Sequence, residues 1–267
     1  MANENRIETT FESLRSKKRK GFIPYICAGD PDLDTTVEIS MALTKAGADV
    51  LELGMPFSDP LADGIVNQLA AQRALASGTT IRGVFDCVRQ IRQNSETAIV
   101  LYSYLNPILQ FGFDQFHQQA AAAGVDGLLI LDLPPEEEPE GSTHGLAHIR
   151  LIAPTTSPQR IADIVRNADG FLYYVSREGV TGVRDNVAAS LGNQIAEIRR
   201  VSNLPIAVGF GISTPDQAKT VAQYADAVVV GSAIVDLMAK KGRGSIAEVG
   251  KFAQAIARAI NEGAPNK

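Results

Sequence analysis

Two acids are the residues best placed for chemistry. Glu52 interrupts the apolar run ADVLELGM at 48–55, and Asp63 lies just beyond it in PFSDPLADG at 56–64. Side chains on a strand alternate faces, so Val50, Glu52 and Gly54 share one face while Leu51, Leu53 and Met55 share the other. Glu52 therefore points into the protein, where an acid is rare unless a donor or an Arg ties it down or it has a chemical task. A carboxylate on a strand with a second in the following loop suits general acid–base catalysis. The spacing around Asp63 by itself favours a helix N-cap, with Ile65, Val66 and Asn67 as first turn and Leu69 and Ala70 continuing the period.

The elements that must carry these acids follow from the alternation of short apolar runs and amphipathic stretches. Strands are expected at 22–28, 48–55, 98–104, 127–133, 150–153, 171–175, 205–210 and 227–230. Helical patterns fall at 35–45, 81–92, 113–123, 159–167, 187–201, 215–224 and 246–260. Such alternation implies a parallel sheet, and eight units imply a closed (β/α)8 TIM barrel, with an open doubly wound sheet as the competing topology. No Pro/Ser-rich linker divides residues 1–267, so a single domain is expected, with the short helix at 7–14 placed to cap the barrel floor. One unit is abnormal: PPEEEPEGSTHGLAH at 134–148 holds three prolines and two glycines, which predicts an irregular fourth βα unit.

In a barrel, chemistry belongs at the C-terminal ends of the strands. Glu52 and Asp63 satisfy that rule, and so does Asp132, either as a third acid or as an anchor for a loop. Tyr173 shares parity with Phe171 and Val175, which directs its hydroxyl inward or leaves it a packing residue like Tyr102, Tyr104 and Tyr174. Glycines gather after consecutive strands, in GVTG at 179–182, VGFGIS at 208–213 and VGSA at 230–233. They let backbone N–H groups approach an anion next to a helix N-terminus, which predicts a phosphate site.

Composition excludes several functions. Of 267 residues 45 % are hydrophobic and the net charge is −5, so no general attraction to nucleic acid or an anionic membrane is expected. The basic run at 17–20 is a solvated helix end. No apolar run has membrane-spanning length, the N-terminus has no signal-like core, and the two cysteines suit a reducing compartment, so a cytoplasmic location is expected.

LELGMPFSDPLADG at 51–64 resembles the α subunit of tryptophan synthase, as do FIPYICAGDP at 22–31, APTT at 153–156, SREGVTG at 176–182 and VGFGIS at 208–213. The resemblance spans nearly the whole chain in order; the departure is 134–148, shorter than the family's usual helix. It implies a TIM barrel that cleaves indole-3-glycerol phosphate to indole and glyceraldehyde 3-phosphate. Indole then passes to a pyridoxal-phosphate-dependent β subunit in an α2β2 heterotetramer, and this chain itself carries no cofactor. By motif, Glu52 matches the acid/base glutamate, and Asp63 the aspartate that holds the indole N–H, which replaces the N-cap reading. Tyr173 and Thr181 match substrate-binding positions; Tyr25, commonly Phe in the family, Tyr102 and Phe210 fall in the indole pocket; and Gly182, Gly211, Gly231 and Ser232 match the phosphate pocket.

Retro-aldol cleavage needs an electron sink, commonly a Lys Schiff base or a metal ion. No lysine falls within an expected strand, and His117, His144 and His148 lie in a helix and the irregular segment, with no Cys or third His beside the 144/148 pair, so no metal is expected. Indole protonated at C3 is its own sink, and two carboxylates suffice. Alternatives are a free-standing lyase, a non-catalytic activator of a β partner, and a related sugar-phosphate barrel; the indole-glycerol-phosphate-forming barrel would place lysines at strand ends, which this chain does not.

Overall fold

The computed structural model describes residues 5–139, 143–175, 184–209 and 211–262. Its strands are β1 (Gly21–Cys27), β2 (Val50–Gly54), β3 (Ala98–Ser103), β4 (Gly127–Ile130), β5 (Ala147–His148), β6 (Arg150–Ile152), β7 (Leu172–Val175), β8 (Ile206–Gly209) and β9 (Ala227–Val230). All pairings are parallel, in the order β5-β4-β3-β2-β1-β9-β8-β7-β6. The two ends of that order are halves of one strand that breaks at Ile149: β5 serves β4, and β6 serves β7. Ile149 N–H still donates to Leu128 O at 2.9 Å, so the sheet closes without a gap into a (β/α)8 barrel.

This corrects one expected boundary. The fifth strand begins at Ala147, not Arg150, inside the segment read as irregular. The rest of that segment behaves as the prolines dictate: among the described residues only a 3-10 turn, Pro135–Glu137, separates β4 from β5.

Strand parity sorts the core into two shells. Leu51, Leu53 and Met55 pack outward among the surrounding helices, whereas Val50, Val100, Leu129, Phe171 and Val229 fill the interior. Helix α1 (Arg6–Ser16) closes the floor, because Ile7, Phe11 and Leu14 join the interior cluster and Phe11 meets Phe171 at 5.5 Å. Interior positions near it are small for that reason: a Cβ added at Gly127 would lie 2.8 Å from Ile7. The remaining helices are α2 (Leu33–Ala46), α3 (Ile65–Ala76), α4 (Ile81–Arg92), α5 (Leu105–Phe111), α6 (Phe113–Ala123), α7 (Pro158–Arg166), α8 (Arg184–Arg199), α9 (Pro215–Ala222), α10 (Ser232–Lys241) and α11 (Ile246–Ala259). No helix among the described residues is long and apolar enough to cross a membrane.

Asp126, 5 % exposed at the entry to β4, ties the floor together. Its carboxylate accepts from Arg92 of α4 at 2.5 Å, Arg6 of α1 at 3.1 Å and the Ile99 N–H of β3 at 2.8 Å. Burial pushes its pKa up, and the two guanidiniums pull against that rise.

Candidate active site

Glu52 stands in the middle of β2, level with Tyr25 of β1 and Val100 of β3 and on the interior parity set by Val50. It is 2 % exposed, and its buried Oε1 has no hydrogen-bond partner among the described residues. Burial first, and the charge of Asp63 second, raise its pKa to about 8. A carboxyl group in that state holds a proton at neutral pH.

Asp63 lies opposite in environment. Tyr102 donates to Oδ1 and Tyr104 to Oδ2, each at 2.8 Å, and the Asn67 side chain adds a third hydrogen bond. Burial raises its pKa on balance, these three donors opposing the rise, and a carboxylate with both oxygens accepting is the form they favour. Glu52 is thus cast as the acid and Asp63 as the anion, the division of labour that two unlike environments impose on a carboxylate pair. The N-cap reading of Asp63 does not hold: the residue capping α3 is Gly64, with no side-chain capping bond, and both Asp63 oxygens face tyrosines.

The loop that carries Asp63 is tethered at both ends. Tyr104 also accepts the Ala62 N–H at 3.0 Å. Arg73, on α3, forks onto buried Asp30 beyond β1 at 2.8 and 2.7 Å, a bidentate geometry that fixes the helix against the strand end.

Tyr25, Tyr102 and Tyr173 line the interior beside the acids. Tyr25 and Tyr102 meet edge to face at 5.1 Å, and glycines make room for the rings: a Cβ at Gly54 would be 2.2 Å from the Tyr25 hydroxyl, and one at Gly209 2.5 Å from that of Tyr173. Burial, then the charges of Glu52 and Asp63, hold the Tyr173 phenol well above its ordinary pKa, so it stays a neutral donor. Asp132 is the loop anchor of the two roles open to it, since it accepts from the Leu105 N–H at the start of α5 at 2.6 Å.

Of the glycines expected to bind an anion, Gly211 has φ +71° and Gly231 caps α10, whose first residue is Ser232. The first turn of a helix leaves backbone N–H groups without intrahelical partners, and no acid sits in that of α10. The start of α9 is by contrast occupied, because the Gln217 side chain accepts from the N–H groups of Ser213 and Thr214. Thr181, Gly182 and Phe210 lie outside the described residues. A cavity of about 230 Å³ between the ends of β4 and β6, lined by Leu131, Asp132, Arg150 and Leu151, is separate from the acid pair.

Tyr104, Asn67 and the Asp30–Arg73 pair were not legible as site residues. Tyr104 reads as a packing residue; β3 ends at Ser103 and the chain turns into α5, so its hydroxyl reaches Asp63 from the start of that helix.

Fold and carboxylates together define a (β/α)8-barrel enzyme of the acid–base type. The tryptophan synthase alpha chain family profile matches residues 11–264. The chain belongs to that family. A tryptophan synthase alpha chain from Opitutus terrae is 52 % identical over 236 residues, covering 87 % of this chain and 89 % of the relative. The crystal structure of tryptophan synthase subunit alpha from Legionella pneumophila superposes with a TM-score of 0.89 at 42 % identity, covering 97 % of this chain and 100 % of that one. A structure described as the mutually activated a2b2 tryptophan synthase complex of Pyrococcus furiosus gives 0.83 at 36 % identity, over 89 % and 98 %.

Proposed function

We propose that this chain cleaves indole-3-glycerol phosphate to indole and glyceraldehyde 3-phosphate. The observation that carries the reading is the unlike pair of acids: a buried Glu52 with a raised pKa, its Oε1 without a partner among the described residues, beside an Asp63 held by two tyrosines. Glu52 delivers its proton to indole C3, and the positive charge that results rests on the ring nitrogen, whose N–H Asp63 accepts. The carboxylate so formed takes the proton of the side-chain hydroxyl. As that oxygen becomes the aldehyde carbonyl, the C–C bond breaks, its electrons return to the ring, and Glu52 is again an acid.

Tyr25, Tyr102 and Phe210 enclose the indole ring in this reading, and Tyr173 and Thr181 orient the side chain. Gly182, Gly211, Gly231 and Ser232 receive the phosphate at the start of α10. The β subunit is the partner, in an α2β2 assembly, and it supplies pyridoxal phosphate for the later step, so this chain needs no cofactor. The solvent-facing Leu61 and Ile65, 89 % and 65 % exposed on the Asp63 loop and the start of α3, support a protein partner seated there. A cytoplasmic location accords with this biosynthetic role.

The test is steady-state indole release from indole-3-glycerol phosphate, with and without an added tryptophan synthase β subunit. Slow turnover that accelerates strongly on addition is expected. Fast turnover that ignores the partner would instead indicate a free-standing lyase, and none in either condition would refute the reading.

Tyr104→Phe provides a second check. It removes the donor to Asp63 Oδ2 and the acceptor of the Ala62 N–H. A hydrogen bond to a charged group contributes about 1.5–3 kcal/mol, so kcat/KM should fall about 10- to 100-fold with the fold intact by circular dichroism. Unchanged kinetics would remove Tyr104 from the site.

A further inference from the structure

The chain has three histidines, and all three meet at one corner beside α6 and β5. His117 lies on α6, while His144 and His148 bracket the entry to β5. His144 Nε2 is 2.7 Å from Asp114 of α6. His117 and His148 lie deeper, at 0 % and 5 % exposure, with ring centroids 5.4 Å apart.

Hydrogen bonding fixes the state of the buried pair. His117 Nδ1 is 2.7 Å from the Phe113 carbonyl, which can only accept, so Nδ1 carries the proton and Nε2 keeps its lone pair. His148 directs Nδ1 at Glu138 Oε1, while Arg150 holds the other oxygen of that carboxylate. The Nε2 atoms of both histidines are buried without a hydrogen-bond partner among the described residues. A proton shared between His148 and Glu138 accounts for that contact and leaves both Nε2 atoms unmatched, each at a cost of about 1–3 kcal/mol. One donor atom from each of His117, Glu138 and His148 can be chosen so that all lie within 4.8 Å of one another.

Two neutral imidazoles and a carboxylate are the donor set of a zinc-class ion. A His that donates its other ring N–H to a backbone carbonyl has the orientation typical of a metal ligand. Tetrahedral coordination with bonds of about 2.0–2.1 Å needs donors about 3.4 Å apart, a closure that side-chain rotation supplies. We propose that His117, Glu138 and His148 bind a divalent cation of the zinc class, which clamps the proline-rich connection between β4 and β5 onto α6. The clamp sits where this chain has a single 3-10 turn among its described residues, so a coordinate cross-link replaces packing that a helix would provide. Local spacing shows no third histidine beside His144 and His148 because His117 arrives from a separate helix.

The experiment is titration of the chelator-treated full chain with Co2+ and Zn2+. Co2+ should bind one per chain with visible bands of a four- or five-coordinate site, Zn2+ should displace it, and imidazole 15N resonances of His117 and His148 should shift. His117→Gln, His148→Gln and Glu138→Gln should each weaken binding about tenfold or more, His144→Gln should leave it unchanged, and Zn2+ should raise the melting temperature of wild type but not of the double histidine variant. Wild-type protein without stoichiometric Co2+ binding overturns the proposal whatever the variants do. So does binding that survives in a folded double variant or that disappears with His144→Gln. Should His117→Gln fail to fold, Glu138→Gln on the 3-10 connection and the wild-type spectra decide.

Discussion

Glu52→Gln is expected to reduce indole release by about 10³-fold or more while substrate binding changes little. The amide preserves shape and size but has no proton to give to C3 and no base to receive the hydroxyl proton, and loss of general acid–base catalysis alone is worth about 10²–10⁴. Single-turnover indole formation and calorimetric binding separate the two quantities, and near-normal turnover would end the assignment. The same substitution should stabilise the fold, with a definite pH dependence. Because burial raises the pKa of Glu52 to about 8 from an ordinary value of 4.5, the folded state binds this proton more tightly than the unfolded chain. The destabilisation is absent below about pH 4.5, grows through the window between the two values and is complete above about pH 8, at most about 5 kcal/mol. Urea titrations should therefore find Glu52→Gln more stable than wild type at pH 8.5 and equal to it near pH 4.5. Wild-type turnover should decline as pH rises through 8, where the acid loses its proton.

Asp126→Ala is expected to cost about 3–5 kcal/mol. It takes the paired carboxylate from the Arg92 guanidinium, whose side chain is 11 % exposed and otherwise bonds only the Gly124, Ser95 and Thr97 carbonyls among the described residues, and it leaves the Ile99 N–H of β3 without its acceptor. Breaking a buried pair by removing one partner has that magnitude because the remaining charge stays out of water. Arg6→Ala is the control: Arg6 is 37 % exposed and its second partner, Glu96, is solvated, so its loss should cost under about 1 kcal/mol. Urea midpoints of the two variants decide the point, and comparable small shifts would mean that Asp126 is not the hub of the floor.

Much of this fold was legible because a strand buried on both faces reads as a short apolar run, as LLI does in β4 and AVVV in β9. Strand five failed that signal. Its first half, Ala147 and His148, carries a histidine and follows a proline- and glycine-rich run, and its pairing with β4 depends on closure of the whole sheet. Helix α5 escaped because seven residues containing Pro107 cannot show a period. At the site, Glu52 stood out as an acid in an apolar run, whereas the task of Asp63 depends on Tyr102 and Tyr104, brought to it by β3 and the turn beyond it. Its spacing alone fits a cap, and only the neighbours distinguish an anion held by phenols from one held by backbone amides.

The strand order also dictates when each edge is covered as the chain is made. Strand β1 gains β2 almost at once, yet its other partner, β9, is the last strand synthesised. For most of translation β1 is the exposed rim of a growing sheet, open to pairing with another nascent chain. Pro24 sits in the middle of that strand, level with Val230 in the finished barrel. Its missing N–H lies on the β2 side, because Phe22 and Ala28, of the same parity, bond across to Asp49 and Gly54. The rim therefore keeps its own N–H groups, among them that of Gly21, which donates to the Asp226 carbonyl once the barrel closes, and it is the arrival of β9 that takes them out of reach of a neighbouring chain.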